Sequence, residues 1–368
     1  MKIKFKKISL STVLSATLLT SLHANEKFFV VERENSSLAV IENGLVDTHI
    51  KDVHNMNHGV IKFYENDGYL ISRDGYIMKF DPKTDKKLKE VKTSNSAIGF
   101  VISKYYVAVA NYDNKSVDIL DRDLNPVQSF KTDSRNVGIK VYKDYLVFAQ
   151  MDSDKITILH DKNKGKKIPN FENFKEFDSV GVMPFDAMIM DNNFIVGFFK
   201  SPYFGVVNLD KMTFSKINIE LDERKPVLKV PHFGQWSIGG GHIYVPAVGD
   251  NKVFVYTPDF KFVKSITTEG LPVFTALSPD NRYLAVTFSG EKFPVIEIVD
   301  TKTFQVIKRF EFAGKVLHVR WSKDTPDLYV SVNDANMISV IDTNDWFVNR
   351  DILQVQKPSG IFLFEENK

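Results

Sequence analysis

Three histidines, two arginines, a lysine and a carboxylate occupy places in this 368-residue sequence from which they could meet at one site. His58, His232 and His318 each fall beside the start of an apolar, strand-like run. Neutral imidazole is the commonest side-chain metal ligand and a proton carrier near neutral pH. Arg73 and Arg135 suit planar, two-pronged clamping of carboxylates, and Lys200 adds a cation at a comparable place. Asp152 occupies a turn of the same kind, as do Asp74, Asn111, Tyr112, Tyr203, Asp250, Lys292, Asn333 and Asp334. For Asp250, Asn333 and Asp334, capping of the local backbone is the simpler role, and Lys292 reads as a solvated surface residue. His49, His54 and His242 are read as structural or surface residues. Gly239-Gly240-Gly241 joins two strand-like runs with no following helix, so it is read as a hairpin and not as a dinucleotide loop.

Convergence requires a fold that brings distant segments to one axis, and the sequence contains a repeat of that kind. The segments from His58 (HGVIKFYENDGYLISRDGYIMKFD), Ser96 (SAIGFVISKYYVAVANYDNKSVDILD), Pro272 (PVFTALSPDNRYLAVTFSGEKFPVIEIVD) and Val316 (VLHVRWSKDTPDLYVSVNDANMISVID) share one plan. Each has an apolar strand, a polar turn, a second apolar strand, another turn and a third strand ending in Asp. A more polar fourth strand follows. Short runs rich in β-branched and aromatic residues, separated by Gly, Asp, Asn and Pro, are the signal of an all-β chain. The period of roughly 40 residues is that of a propeller blade. The length accommodates eight blades of four strands. The first unit, from Phe28, lacks an innermost strand, whereas Lys357–Phe364 resembles an innermost strand without followers. The C-terminus is therefore expected to close the ring in the first blade, since an open ring leaves strand edges unpaired. In such a ring the starts of the innermost strands and the turns between second and third strands share one face. That face is the expected site, collecting His58, Asn95, Arg135, Asp186, His232, His318 and Ser359 with the turn residues above.

Composition narrows the function. A hydrophobic fraction of 43% supports a large packed core. The 48 basic and 46 acidic residues nearly cancel, so no basic stripe calls for nucleic acid. There is no cysteine, hence no disulfide, no thiol nucleophile, no lipid attachment through sulfur and no covalent c-type haem. Lys2, Lys4, Lys6 and Lys7 precede an apolar run from Ile8 to Leu19, with Ala24 at a plausible cleavage point. Leu22 departs from the usual small residue there. The run is shorter than the roughly 20 residues of a membrane span. Residues 1–24 are expected to be a cleaved export signal, leaving residues 25–368 as one soluble periplasmic domain.

The stretches VPHFGQWSIGGGHIYVPAVGDNKVFVY, LPVFTALSPDNRYLAVTFSG, VIEIVDTKTFQVIKRF, LYVSVNDANMISVID and KPSGIF resemble the haem d1 propeller family, as do HGVIKFYENDGYLISRDGYIMKFD and MPFDAMI in the N-terminal half. That family includes cytochrome cd1 nitrite reductase and proteins of haem d1 assembly. Members that work as the reductase carry a c-type haem domain, which this chain lacks, so the resemblance points to the assembly branch. It implies binding of haem d1 or a late tetrapyrrole precursor, which is then processed or handed over for maturation of cytochrome cd1 nitrite reductase, alongside other haem d1 assembly proteins. By the HGVIKF match, His58 falls on the family's essential histidine, as iron ligand or proton carrier. His232 is the second candidate iron ligand. Arg73, Arg135, Lys200 and His318 would hold the tetrapyrrole, and Asp152 would orient or assist a histidine. A dehydrogenase step would need an electron acceptor from outside the chain. The competing reading is a periplasmic scaffold for protein assembly, which would need apolar patches on its rim. Hydrolysis of a small lactone or sugar would need a carboxylate cluster for a metal, and none is evident.

Overall fold

A computed structural model describes residues 26–219, 236–247, 250–290 and 294–365, and every regular element among them is a β-strand. The strands form eight antiparallel sheets of four strands each, arranged as an eight-bladed propeller. Blade 1 consists of Lys27–Glu32, Ser37–Glu42 and Leu45–Ile50, completed on its inner side by Pro358–Phe364. Phe28 pairs with Leu363 and Phe29 with Phe362, so chain closure is a direct strand pairing, as the repeat implies. The innermost strands of blades 2 to 8 are Val60–Tyr64, Ala97–Ile102, Asn136–Tyr142, Pro184–Met190, Ser237–Gly239, Pro272–Leu277 and Val316–Trp321.

Burial explains the composition of each strand. Second strands such as Tyr106–Asn111 and Asp327–Val332 are buried at every position, because each lies between the faces of two neighbouring blades. Both of their faces must be apolar, so they read as continuous hydrophobic runs without alternation. Outermost strands such as Gln305–Glu311 are exposed almost throughout and carry the polar residues. The core is accordingly a ring of inter-blade clusters, for example Tyr69, Ile71, Phe100 and Val109 between blades 2 and 3. Trp321 in blade 8 anchors its indole by donating from Nε1 to the carbonyl of Ala276 in blade 7, at 2.8 Å.

Gly240 and Gly241 form the hairpin turn between Ser237–Gly239 and His242–Ala247, both at positive φ. They supply the left-handed backbone that a tight two-residue turn requires, and no helix follows them.

The innermost strands are not regular. Pairing with the second strand shifts register within Ala97–Gly99, Val137–Lys140, Pro184–Ala187, Pro272–Phe274 and Val316–Val319. Such bulges re-aim side chains that a regular ladder would direct into the neighbouring sheets. Here they bring Asp186 and His318 toward the axis. In blade 4 the bulge includes Gly138 at φ 59°, where a Cβ would come within 3.0 Å of the Ala187 Cβ and 3.1 Å of the Phe185 carbonyl.

Candidate functional site

All eight innermost strands line a central cavity of about 770 Å³. Its volume falls in the range of small-molecule and cofactor sites. At one mouth stand His58, Gly59, Arg33 and Ser359. Lys62, Lys140, Asp186, His318 and Arg320 line its walls, among apolar residues that include Phe100, Ile139, Phe274 and Phe362.

His58 is presented by the segment between blades 1 and 2. Val53 and Met56 bury their side chains and tie this segment down. The Val53 amide donates to the Ser36 carbonyl at 3.0 Å, the Arg73 amide to the Asn55 carbonyl at 2.9 Å, and the Gly59 amide to the Met56 carbonyl at 3.0 Å. His58 itself adopts φ 64°, a conformation that costs a non-glycine residue energy and persists where surrounding contacts impose it. Burial, and then the positive charges of Arg33 and Arg73, push its imidazole below the usual histidine value. The ring is therefore neutral at pH 7, the form that can accept a proton or bind a metal.

Arg33 lies in the turn between the second and third strands of blade 1, the place that Arg73 occupies in blade 2. Burial lowers its pKa, and its Nε is buried without a hydrogen-bond partner. Among the described residues it makes no ion pair. A half-buried cation without an ion-pair partner, lining an open cavity beside a neutral histidine, is suited to an anionic ligand group.

The other expected residues are distributed as follows. Arg73 and Arg135 lie farther out on the same-face turns and both hold Tyr112, each guanidinium carbon 5.0 Å from the ring centre. Arg135 also donates to the Tyr112 hydroxyl at 2.8 Å, and Arg73 donates to the Ser96 hydroxyl. Asp152, expected to orient a histidine, is committed to Arg135: it accepts from the Arg135 amide at 2.9 Å and from the guanidinium through both oxygens. That pairing holds its carboxyl below the usual carboxylate range, which makes it a weak proton acceptor. Lys200 is exposed and does not line the cavity. His232 lies outside the described residues.

His318, expected at the rim, is the third residue of Val316–Trp321 and lies inside the channel. The Ile361 amide donates to its Nδ1 at 3.2 Å, which puts the proton of the neutral ring on Nε2. Burial and Arg320 depress its pKa to about 3, so it stays neutral across the working pH range. In this tautomer Nε2 carries the ring proton and is not free to act as a metal ligand. The structure consequently brings His58 and His318 to one cavity at different depths. His54, read as structural, stacks on Tyr76 with ring centres 3.7 Å apart and pairs with Glu90 at 2.8 Å.

Arg33, Lys62, Lys140 and Arg320 were not singled out from the sequence. For Arg33 the signal was its turn position in a first blade whose inner strand is supplied from elsewhere. For the others it was a cation inside an otherwise apolar inner strand: VIKFY, NVGIKVY and VLHVRW.

The Arg135–Asp152 pair yields a pH prediction. The folded-state pKa of Asp152 is depressed, so its contribution to stability is present above the unfolded value of roughly 4 and is lost as pH falls through the folded value. Both side chains are about one-third exposed, which limits the effect to under about 1 kcal/mol. Urea midpoints of the wild type and Asp152→Asn should differ slightly at pH 7 and converge below pH 3. A gap that widens in acid would contradict the assignment.

One comparison settles the family. The cytochrome D1 heme domain model matches residues 22–367. The chain belongs to the cytochrome D1 heme domain family. It is similar to Protein NirF of Stutzerimonas stutzeri, 26% identical over 360 residues, and to Protein NirF of Pseudomonas aeruginosa, 28% identical over 361 residues. Each alignment covers 90% of both chains. Among solved structures it resembles dihydro-heme d1 dehydrogenase NirN in complex with DHE, with a TM-score of 0.78 at 20% identity, covering 92% of this chain and 75% of that one. It also resembles apo AztD from Citrobacter koseri, with a TM-score of 0.64 at 12% identity, covering 92% and 98%. At these identities the structural likenesses establish the propeller fold alone. Among the described residues no helix is long and apolar enough to cross a membrane, and no cluster of His, Asp and Glu is arranged to hold a free metal ion.

Proposed function

We propose that this D1-family propeller binds haem d1 or a late tetrapyrrole precursor at the His58 mouth and hands it on for maturation of cytochrome cd1 nitrite reductase, working in the periplasm. The observation that carries this reading is Arg33, a half-buried guanidinium with no ion-pair partner among the described residues, at the entrance of an apolar-walled cavity next to a neutral histidine. A d1-type tetrapyrrole is flat, apolar on its faces and edged with carboxylates. Arg33 would take a carboxylate, the apolar wall residues would take a face, and His58 would face the iron or move a proton. The iron belongs to the cargo and brings the redox chemistry. This chain supplies position, charge and exclusion of water, and any oxidation of the cargo needs an external electron acceptor. Similarity to Protein NirF and to the NirN propeller supports the same reading.

The test is an absorbance titration of residues 25–368 with haem d1. Saturable shifts of the Soret and long-wavelength bands at micromolar protein are expected. Absence of binding to haem d1 and to its precursors would leave the scaffold reading. One observation favours that second reading: the outermost strands of blades 6, 7 and 8 expose Phe262 and Val263, Val306 and Ile307, and Phe347 and Val348. A scaffold would retain its partners whatever happens to Arg33 or His58.

A further inference from the structure

We propose that the waist of the channel, at Lys62 and Lys140, binds the carboxylate of an organic acid. Lys62 is the third residue of Val60–Tyr64 and Lys140 the fifth of Asn136–Tyr142, and both line the cavity below the mouth. The Lys62 ammonium donates to the Phe100 carbonyl at 2.5 Å and the Lys140 ammonium to the Ile139 carbonyl at 3.3 Å. An ammonium group has three donors, so each keeps two. Among the described residues neither lysine forms an ion pair.

The charge at this level is unbalanced. Lys62 and Lys140 face one carboxylate, Asp186, whose bonded partner is its neighbouring amide, that of Ala187, at 2.8 Å, while the charge of Arg320 is opposed by Glu365. Arg320 directs its Nε to the Ile361 carbonyl at 3.1 Å. Positive charge held among protein atoms without a counter-ion is costly, and an entering anion offsets it. Phe100, Ile139, Phe274 and Phe362 line the same space. The ligand that fits is therefore a carboxylate on an apolar body, and not a fully hydrated inorganic ion.

The groups facing Lys62 fix the sign of the pH dependence. They are Lys140 from blade 4, Asp186 from blade 5, and His318 and Arg320 from blade 8, with Arg33 and His58 toward one end and Lys323 and Glu365 toward the other. Burial, then Lys140, pushes Lys62 down to about 7, against the opposing pull of Asp186. Lys140 is lowered by burial in the same way. His318 stays neutral. The empty waist thus sheds positive charge as pH rises through 7, and a bound carboxylate draws a proton back.

The test uses propionate and calorimetry on the full mature chain. Saturable binding is expected at pH 7, with net proton uptake in buffers of different ionisation enthalpy. Affinity should fall on the order of tenfold by pH 8.5. Lys62→Met with Lys140→Met should abolish binding while the protein still melts cooperatively. The single variant Lys140→Gln serves if the double variant does not fold. The carboxylate could come from a free acid or from an arm of a larger ligand seated at the mouth. Coproporphyrin separates these sources: displacement of propionate by the porphyrin identifies the arm, and simultaneous binding identifies the free acid. Propionate binding that ignores the lysine substitutions overturns the proposal. So does the absence of propionate binding together with porphyrin affinity unchanged in the double variant. Neither result depends on whether haem d1 itself binds.

Discussion

Deleting residues 358–368 should abolish the cooperative fold. The deletion removes the strand Pro358–Phe364, which pairs along Lys27–Glu32 and joins the two ends of the chain within one sheet. Ile361 is fully buried, and Phe364 is nearly so. Burying a large apolar side chain contributes about 1.5–3 kcal/mol. Several such side chains are lost at once, and Lys27–Glu32 becomes a bare inner edge. Other contacts also go: the Asn333 side-chain amide donates to the Pro358 carbonyl at 3.0 Å, and the Ile361 amide holds His318. The combined loss is of the order of the whole folding stability of an ordinary domain, about 5–15 kcal/mol. Calorimetry should show no cooperative transition and the chain should aggregate. A truncated chain that melts cooperatively within a few degrees of the full one would show that the ring does not need this strand. Ile361→Ala is the graded version, with an expected cost of about 2–5 kcal/mol.

The second large effect is expected at Arg33. In Arg33→Ala, affinity for haem d1 should fall about 10- to 100-fold, corresponding to loss of a charge-assisted contact of about 1.5–3 kcal/mol. The stability of the ligand-free protein should not fall, because Arg33 has no ion-pair partner among the described residues and its charged form is penalised by burial. Affinity down with stability level or up separates a ligand contact from a structural one. Arg33→Lys keeps the charge but not the planar fork and should recover only part of the affinity. Unchanged titration curves for Arg33→Ala would remove the observation on which the proposed function stands.

The propeller was legible in the sequence because its signals are local and repeated. Continuous apolar second strands, turn residues at recurring offsets and polar outer strands all follow from blade-on-blade packing. Even the ring closure was legible, since a unit without its first strand and a strand without its unit imply each other. The site was less legible, because a propeller axis is assembled from one short strand per blade and bulges change which residue points inward. His318 and Asp186 look like rim residues when strand starts are counted, yet register shifts at Val316–Val319 and Pro184–Ala187 place them within the channel. Asp152 looked like a histidine partner by residue type alone. Its actual partner, Arg135, lies 17 positions earlier in the turn that opens the same blade. Arg33 is hidden in the sequence because the first blade has no inner strand of its own from which to count.

The central claim is that the His58 mouth is where the tetrapyrrole sits, and the most direct measurement is the haem d1 titration repeated with His58→Ala at several pH values. In the wild type, binding should be strong at pH 7, where the imidazole is neutral. It should weaken as pH falls through the depressed pKa of His58, because protonation there competes with the ligand. In His58→Ala the spectral shift should be lost or altered in shape, and this acid dependence should disappear. Wild-type and His58→Ala titrations that superimpose at every pH would contradict the account.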